Sequence, residues 1–460
     1  MAKAAGTTVT DTAAAMDATD TVRTIARTQR DRGRRDTRRC YAGGVLRSLS
    51  DVLSADAVVV GAGPAGAAAA IHLADGGRSV VVCDKAVFPR DKCCGDGLTT
   101  LALRELAALR FDPGAIARWT VVDEALLRAP SGREVELPLP AGGTYAAVAP
   151  RCELDAALVD LVSKTGAMLR TGTGFASLTR ARDRTVVELD DGTAIETSHV
   201  IAADGMWSPV RRSLGLARSG DLGEWHAFRQ YVSGVRGPAA TRLYVWFEPD
   251  LLPGYAWSFP LPDGRANVGY GVLRADGRKG AEMRALWHDV FERPHIRDAL
   301  GGDGVTFEDR VLAWPIPGAV TSARLSAGGV LFAGDAAAAA DVLTGEGIGQ
   351  ALLMGRLAAD AIVASGGHVD DAARRYEREV RRELFADHRL SAALGRVLSH
   401  RRGANGALAI VAASGTWGRT RFARWMFEDE PRAIVATPRR WHRRFFSRPS
   451  PFPDPASAAR

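Results

Sequence analysis

The 460-residue chain predicts an α/β fold, α+β overall: a parallel sheet assembled from discontinuous segments, an inserted antiparallel sheet and a helical C-terminal region. Three observations lead there. A strand, glycine-rich turn, helix and second strand run from Ala57 to Asp84. Two later apolar strands end in turns that carry an aspartate, Val200-Ile-Ala-Ala-Asp204-Gly205 and Val330-Leu-Phe-Ala-Gly334-Asp335. Between those two strands, Trp225 to Gly271 reads as antiparallel strands rich in aromatic residues.

The first segment sets the frame. Ala57 to Val60 is a short β-branched run that suits a buried parallel strand. Gly61, Pro64, Ala65 and the glycines Gly63 and Gly66 follow as GxGxxG, and a helical pattern runs from Ala65 to Ala74. Gly61 permits the tight turn, Gly63 lets backbone approach a pyrophosphate, and Gly66 lets helix and strand pack closely. The helix N-terminus then offers unpaired N–H groups to phosphate. A second strand, Ser79 to Cys83, ends in Asp84, eighteen residues beyond Gly66, where a carboxylate can accept hydrogen bonds from a ribose. The pattern predicts a Rossmann-like unit that takes a dinucleotide.

Composition narrows the class. Apolar residues make up 46% and charged residues 25%, as in ordinary soluble globular proteins. No run approaches the roughly twenty apolar residues of a membrane-spanning helix. The five cysteines, Cys40, Cys83, Cys93, Cys94 and Cys152, are odd in number and lack zinc-like spacing, so we expect no metal site and a reducing, cytoplasmic compartment. Charge is uneven: residues 1–55 carry ten Lys/Arg against six Asp, and residues 396–460 carry thirteen Arg against four acids, while the whole chain is only +7. A basic C-terminal part on an otherwise acidic body suggests an anionic surface as partner, for which a phospholipid face fits at least as well as nucleic acid, or arginine-rich ends that are simply solvated. The expected place is the cytoplasm, with the inner face of the cytoplasmic membrane as the peripheral partner under the first reading and no nucleic-acid partner.

Along the chain, residues 1–54 lack an apolar period and read as a disordered tail. Lys85 to Leu98 is a loop in which Arg90 and Lys92 can neutralise phosphate, and Gly95 and Gly97 permit close approach to a flat ligand. Its core, Pro89-Arg-Asp-Lys-Cys-Cys-Gly-Asp-Gly-Leu98, resembles the corresponding loop of the geranylgeranyl reductase family of FAD-dependent oxidoreductases, within the para-hydroxybenzoate hydroxylase-like flavoproteins. The resemblance implies FAD as cofactor, with contacts from Lys85, Arg90, Cys94, Gly95 and Gly97, and reduction of isolated double bonds in polyprenyl chains. It continues at Arg151, which opens a helix and is implied to meet the flavin nucleotide. Ala203 to Gly215 is similar to the family's ADG-x-x-S-x-V-R-R-x-L-G signature, whose Asp204 supports the pyrophosphate region.

Tyr255, Trp257 and Phe259 alternate, so a strand places all three on one side. A period-two aromatic stripe reads first as sheet core, yet PGYAWSFP followed by Asn267-Val-Gly-Tyr-Gly271 resembles the family's active-site motif, implied to line the prenyl cavity. Gly334 and Asp335 resemble the family's ribityl-binding pair. Gly345, Gly347 and Ile348 lie where a glycine-rich loop enters the helix Ile348–Ala364, and bare N–H groups there would stabilise negative charge on a reduced flavin. Val342 stands where the family commonly has proline. Residues 370–400 read as a charged amphipathic helix, and Arg439 to Phe446 interleaves arginine with aromatics in a way that suits a lipid interface or an acidic protein body.

The domains expected are the tail at 1–54, an FAD-binding domain from 55–110, 150–215 and 308–365, a substrate sheet from 111–149 and 216–307, and a basic helical region from 366–460. The function implied is FAD-dependent saturation of a geranylgeranyl or isoprenoid-quinone chain, with NADPH, NADH or a ferredoxin as electron donor and no second nucleotide fingerprint in the sequence. Tyr255, Trp257, Cys94 and Asp96 are the candidate catalytic residues, Asp96 as an acid only if burial raises its pKa. The alternatives are an aromatic monooxygenase of the same fold and a non-catalytic prenyl carrier.

Overall fold

The computed structural model describes residues 52–453 apart from 182–183, 218–221, 275–279, 439–440 and 442–448. Nearly all of the N-terminal tail and most of the Arg439–Phe446 stretch lie outside the described residues. In chain order the elements that position the site are β1 (Leu53–Val60), α1 (Pro64–Asp75), β2 (Val80–Asp84), α2 (Thr100–Ala108), β3 (Glu124–Arg128), β4 (Glu134–Pro138) and α3 (Arg151–Ser163). Next come β5 (Met168–Thr171), β6 (Phe175–Ala181), β7 (Arg184–Leu189), β8 (Ala194–Ala202), β9 (Trp225–Ser233), β10 (Leu243–Trp246), β11 (Tyr255–Leu261) and β12 (Arg265–Leu273). The last are α4 (Gly280–Phe291), β13 (Leu312–Ile316), β14 (Val330–Phe332), α5 (Ile348–Ala364), α6 (Val369–Leu398), α7 (Arg401–Ala413) and α8 (Gly415–Met426).

The first sheet has the order β6-β7-β8-β1-β2-β5, and β14 shares one edge of β8 with β7. β5, β2, β1, β8 and β14 are parallel, and β6 and β7 form an antiparallel hairpin beside them. The parallel strands are Val/Ile/Ala-rich because helices bury both faces of such a sheet. β1 begins at Leu53, earlier than Ala57, because Leu53 to Ala55 pair with Ile195 to Thr197; the expected tail therefore ends inside a strand. α1 and α5 cross at a small-residue contact, where a Cβ on Gly355 would lie 2.1 Å from the Ala65 carbonyl oxygen.

The second sheet runs β9-β12-β11-β10-β3-β4, with β13 on the outer edge of β9. It is antiparallel except where β10 meets β3. Leu312–Ile316 thus pairs with this sheet, although the sequence assigns that stretch to the cofactor segment; Leu312 opposite Arg229 and Ile316 opposite Trp225 complete β9's open edge. One face packs Phe228, Trp246, Ala256, Val268 and Tyr270 against Met283, Trp287 and Phe291 of α4. Toward the other side, Leu127, Val135, Leu243 and Val245 meet Leu408 and Val411 of α7 and Ala423 of α8.

Candidate active site

The parallel register brings four strand ends together. Val60 stands opposite Cys83 and Ala202, and Ala202 opposite Phe332, so the residues that follow these strands meet beyond the carboxyl edge. Gly61, Gly63, Pro64, Ala65, Asp84, Lys85, Asp204, Gly334 and Asp335 line one cavity of ≈ 1580 Å³. That exceeds the roughly 300–1,000 Å³ of a usual ligand pocket and leaves room for a dinucleotide and a second molecule. Gly66 is set back from the wall: a Cβ there would lie 1.8 Å from the Gly61 carbonyl oxygen, so its absence lets the turn close. Gly61 itself has φ +100, and a Cβ would meet the Ala203 carbonyl at 2.3 Å.

The cradle suits an anionic dinucleotide. Gly63 caps α1 without a side-chain hydrogen bond, leaving the helix front to the cavity. Asp84 pins the turn, accepting from Ala62 N and Ala86 N at 2.8 Å each, with lone pairs to spare for a ribose. Asp204 Oδ2 accepts from Val210 N at 3.0 Å, while its Oδ1 is buried with no partner among the described residues. These features fit FAD: α1 and Asp204 would meet the pyrophosphate region, Asp84 the adenosine ribose, and Gly334-Asp335 the ribityl chain.

The cations expected to neutralise phosphate are already engaged. Arg90 and Arg151 both pair with fully buried Asp155, at 2.8 Å, and Lys92 holds Asp335 at 2.9 Å. Arg151 therefore lines the cavity as half of a buried ion pair rather than as a free guanidinium, because Asp155 lies one helical turn along α3. Burial would raise the Asp335 carboxyl, but the adjacent Lys92 outweighs it and keeps the group below its ordinary value.

Opposite this cradle β11 presents Tyr255, Trp257 and Phe259 to the cavity, with successive ring centroids 6.1 Å apart. The aromatic stripe is wall, not sheet core. The loop carrying Cys94, Gly95, Asp96 and Gly97 lies against it; a Cβ on Gly97 would come within 3.0 Å of the Phe259 ring, and one on Gly95 within 3.2 Å. Asn267 ties wall to loop. Its Oδ1 accepts from Trp257 Nε1 at 3.1 Å, and its Nδ2 donates to the Cys94 carbonyl and to Asp96 Oδ2, both at 2.8 Å. Asp96 has no exposed surface and also accepts from Tyr231 Oη at 2.6 Å and from Arg151 N at 3.2 Å. Burial pushes its pKa up to about 6, against the opposing pull of Tyr231, Arg229 and Asn267. Burial likewise raises the Cys94 thiol and the Tyr255 phenol, and the latter donates to the Thr344 carbonyl.

At the front of α5 the structure corrects an expectation. Gly345, Gly347 and Ile348 do line the cavity, but the N–H groups of Ile348 and Gly349 are not bare: both donate to Glu346 Oε1, at 2.9 and 3.0 Å. Glu346 lines the same cavity, and burial together with neighbouring Glu428 pushes its carboxyl well above the usual carboxylate range. Glu428 is held by Thr99 Oγ1 and Gln350 Nε2, at 2.9 Å each, and by Arg432 at 3.3 Å. Arg432, almost fully buried, also faces Asp341 at 3.4 Å. Sequence reasoning missed Glu346, Asn267, Tyr231, Glu428 and Arg432 as site residues. The first two lay inside motifs already singled out and carried a readable signal; the others come from strands or segments with none.

Comparisons with known proteins agree with this geometry. Residues 54–353 match the family described as FAD binding domain. A menaquinone reductase of Mycolicibacterium smegmatis is 37% identical over 69% of this chain and 78% of its own length. Digeranylgeranylglycerophospholipid reductase 1 of Methanopyrus kandleri is 33% identical over 67% of this chain and 80% of its own. Among solved structures, a geranylgeranyl bacteriochlorophyll reductase-like protein from Thermoplasma acidophilum superposes with a TM-score of 0.71 at 22% identity, covering 84% of this chain and 98% of that one, which shows the shared fold. The chain is an FAD-dependent oxidoreductase and belongs to the FAD-binding-domain flavoproteins, in the geranylgeranyl reductase family.

Proposed function

We propose that this flavoprotein saturates an isolated double bond in a prenyl chain, foremost the side chain of an isoprenoid quinone. The observation that carries this reading is the apolar wall of Tyr255, Trp257 and Phe259 lining the same cavity as the strand-end cradle. Such a wall binds a long hydrocarbon by area and offers few polar anchors. The quinone is favoured over a phospholipid because the menaquinone reductase match is the higher of the two in identity.

The cradle of Gly61, Gly63, Asp84, Asp204, Gly334 and Asp335 would hold FAD, which, bound and reduced by NADPH, NADH or a ferredoxin, would supply a hydride equivalent to one alkene carbon. An unconjugated alkene has no electron sink, so the other carbon needs a proton from a group that is neutral near pH 7. We assign that role to Glu346, kept protonated by burial and by Glu428. The C=C bond becomes CH–CH, Glu346 is left as carboxylate, and solvent returns its proton. Asp96 is a poorer donor because its oxygens already accept from Tyr231, Asn267 and the Arg151 amide. Tyr255 and Trp257 position the chain, and Cys94 packs under it as a neutral thiol.

The test is anaerobic incubation of reduced, FAD-loaded protein with a menaquinone, a geranylgeranyl phospholipid and a prenyl diphosphate in separate arms, read by mass spectrometry. A gain of two hydrogens by the quinone is expected. Gain only by another lipid would reassign the substrate. No gain in any arm, with one oxygen added to a substrate in air and NAD(P)H, would replace the reductase reading by a monooxygenase. Stopped-flow bleaching of the flavin by each donor identifies the reductant.

A further inference from the structure

The same cavity has a second boundary that the cofactor chemistry does not use. The end of α6, α7 and α8 line it through Leu394, Leu398, Leu408, Phe422 and Met426. Val397 belongs both to this lining and to the outer surface, where it is 52% exposed, so the cavity reaches solvent beside it. Along the same three helices stand two of the most exposed large apolar residues among the described residues, Ile410 (73%) and Trp417 (68%). Ile410 and Trp417 do not line the cavity; they add exposed apolar surface to the helices that flank its opening at Val397.

Charge says what the contact is. From His388 to Phe427 the sequence has no carboxylate and seven arginines. Arg389, Arg396, Arg401 and Arg402 are exposed, and Arg421 stacks on the Trp417 ring with its guanidinium carbon 5.5 Å from the centroid. Arg424 is the exception, buried against Asp429. An arginine-rich stretch without a carboxylate of its own that displays Trp and Ile matches interfacial helices on anionic lipid, with the ring at the headgroup level and the cations on phosphate; the exposed acids nearest to it, Glu134 and Glu136, stand on the neighbouring strand β4. No described helix is long and apolar enough to cross a membrane, so the contact is with the surface layer.

We infer that the end of α6 with α7 and α8 forms a docking face for an anionic phospholipid bilayer, and that the cavity opens at Val397 directly into it, so that a lipid slides in sideways without crossing water. The docking stands apart from the reductase reading, which it uses only for the identity of the admitted lipid. Full-length, FAD-loaded protein should co-sediment with phosphatidylglycerol-containing vesicles and far less with pure phosphatidylcholine. Arg401→Glu with Arg402→Glu should weaken partitioning by at least about 25-fold, at roughly fivefold per cation lost. Ile410→Asp with Trp417→Asp should abolish it while FAD content and melting midpoint stay within those of the wild type. Met168→Asp, at the far amino end of β5 and 45% exposed, is the control and should bind as the wild type does.

Absence of wild-type sedimentation with anionic vesicles overturns the inference, as does a loss of binding equal in the control. Sideways admission has its own readout. The Ile410/Trp417 pair should raise KM for a prenyl substrate dissolved in vesicles and leave KM for a short, water-dispersed prenyl analogue unchanged. An equal rise for both substrates overturns the portal. Turnover lost by wild type on every prenyl substrate, with vesicle binding intact, would strike the reductase reading and spare the docking face.

Discussion

Replacing Asp96 by Asn separates a buried structural hub from a proton donor. The carboxyl has no exposed surface, and its pKa moves from 3.8 to about 6. That is roughly two units, or about 3 kcal/mol at 1.36 kcal/mol per unit. Since the folded value lies above the unfolded one, the folded state binds the additional proton between about pH 4 and 6, and the stabilisation is lost as pH rises through 6. Asn keeps the shape and stays neutral. The stability of Asp96→Asn relative to the wild type should therefore climb with pH, by about 2 kcal/mol between pH 4.5 and 7.5. With an unfolding entropy of about 2.1 cal/mol/K per residue over roughly 400 residues, this is a relative shift of about 2–2.5 °C in melting midpoint. Paired thermal melts at the two pH values read the shift, and single-turnover flavin reoxidation by substrate reads the chemistry. The variant should retain FAD and stay within about tenfold of the wild-type rate. A flat or reversed pH trend refutes the burial argument, and a thousandfold rate loss with FAD retained makes Asp96 the donor.

Glu346→Gln keeps the two hydrogen bonds from Ile348 and Gly349 but removes the transferable proton, so turnover should fall by at least about 10²-fold with FAD bound, and wild-type rate should decline at high pH as the raised carboxyl ionises. A pH–rate profile without that decline would move the donor elsewhere. Tyr255→Phe loses only the bond to the Thr344 carbonyl, on the order of 1 kcal/mol, and the rate should fall less than about tenfold in the same single-turnover assay. Gly66→Ala drives a methyl to 1.8 Å from the Gly61 carbonyl oxygen, and purified protein should carry under about a tenth of the wild-type flavin absorbance through loss of the turn's geometry.

How far the sequence could be read follows from how local each cause is. The βαβ unit was legible because Gly61, Gly63 and Gly66 act on their own turn, and α5 was legible from Ile348 to Ala364 because its period is continuous. The direction in which Tyr255, Trp257 and Phe259 point was legible only through the resemblance of their motif: alternation alone gives one face of a strand, and the loop of Gly95 and Gly97 laid against it makes that face a cavity wall. That Arg151 is half of a buried ion pair was not legible, because nothing in a linear motif shows that Asp155 holds its guanidinium. Glu346 was visible as a letter in a glycine-rich loop. Its proton affinity was not, because Glu428 and Arg432 arrive from the far end of the chain.

That last arrangement divides the enzyme into parts that can change at different tempos. The match to the FAD binding domain ends at residue 353, whereas Glu428 and Arg432 lie beyond it and fold back on the loop at the front of α5 through Thr99, Gln350 and Thr344. The tail of the chain thus sets the proton affinity of a carboxyl it does not carry. Grafting another C-terminal segment onto the same FAD-binding half should shift the proton affinity of Glu346, because Glu428 and Arg432 are the charges that such a graft would replace.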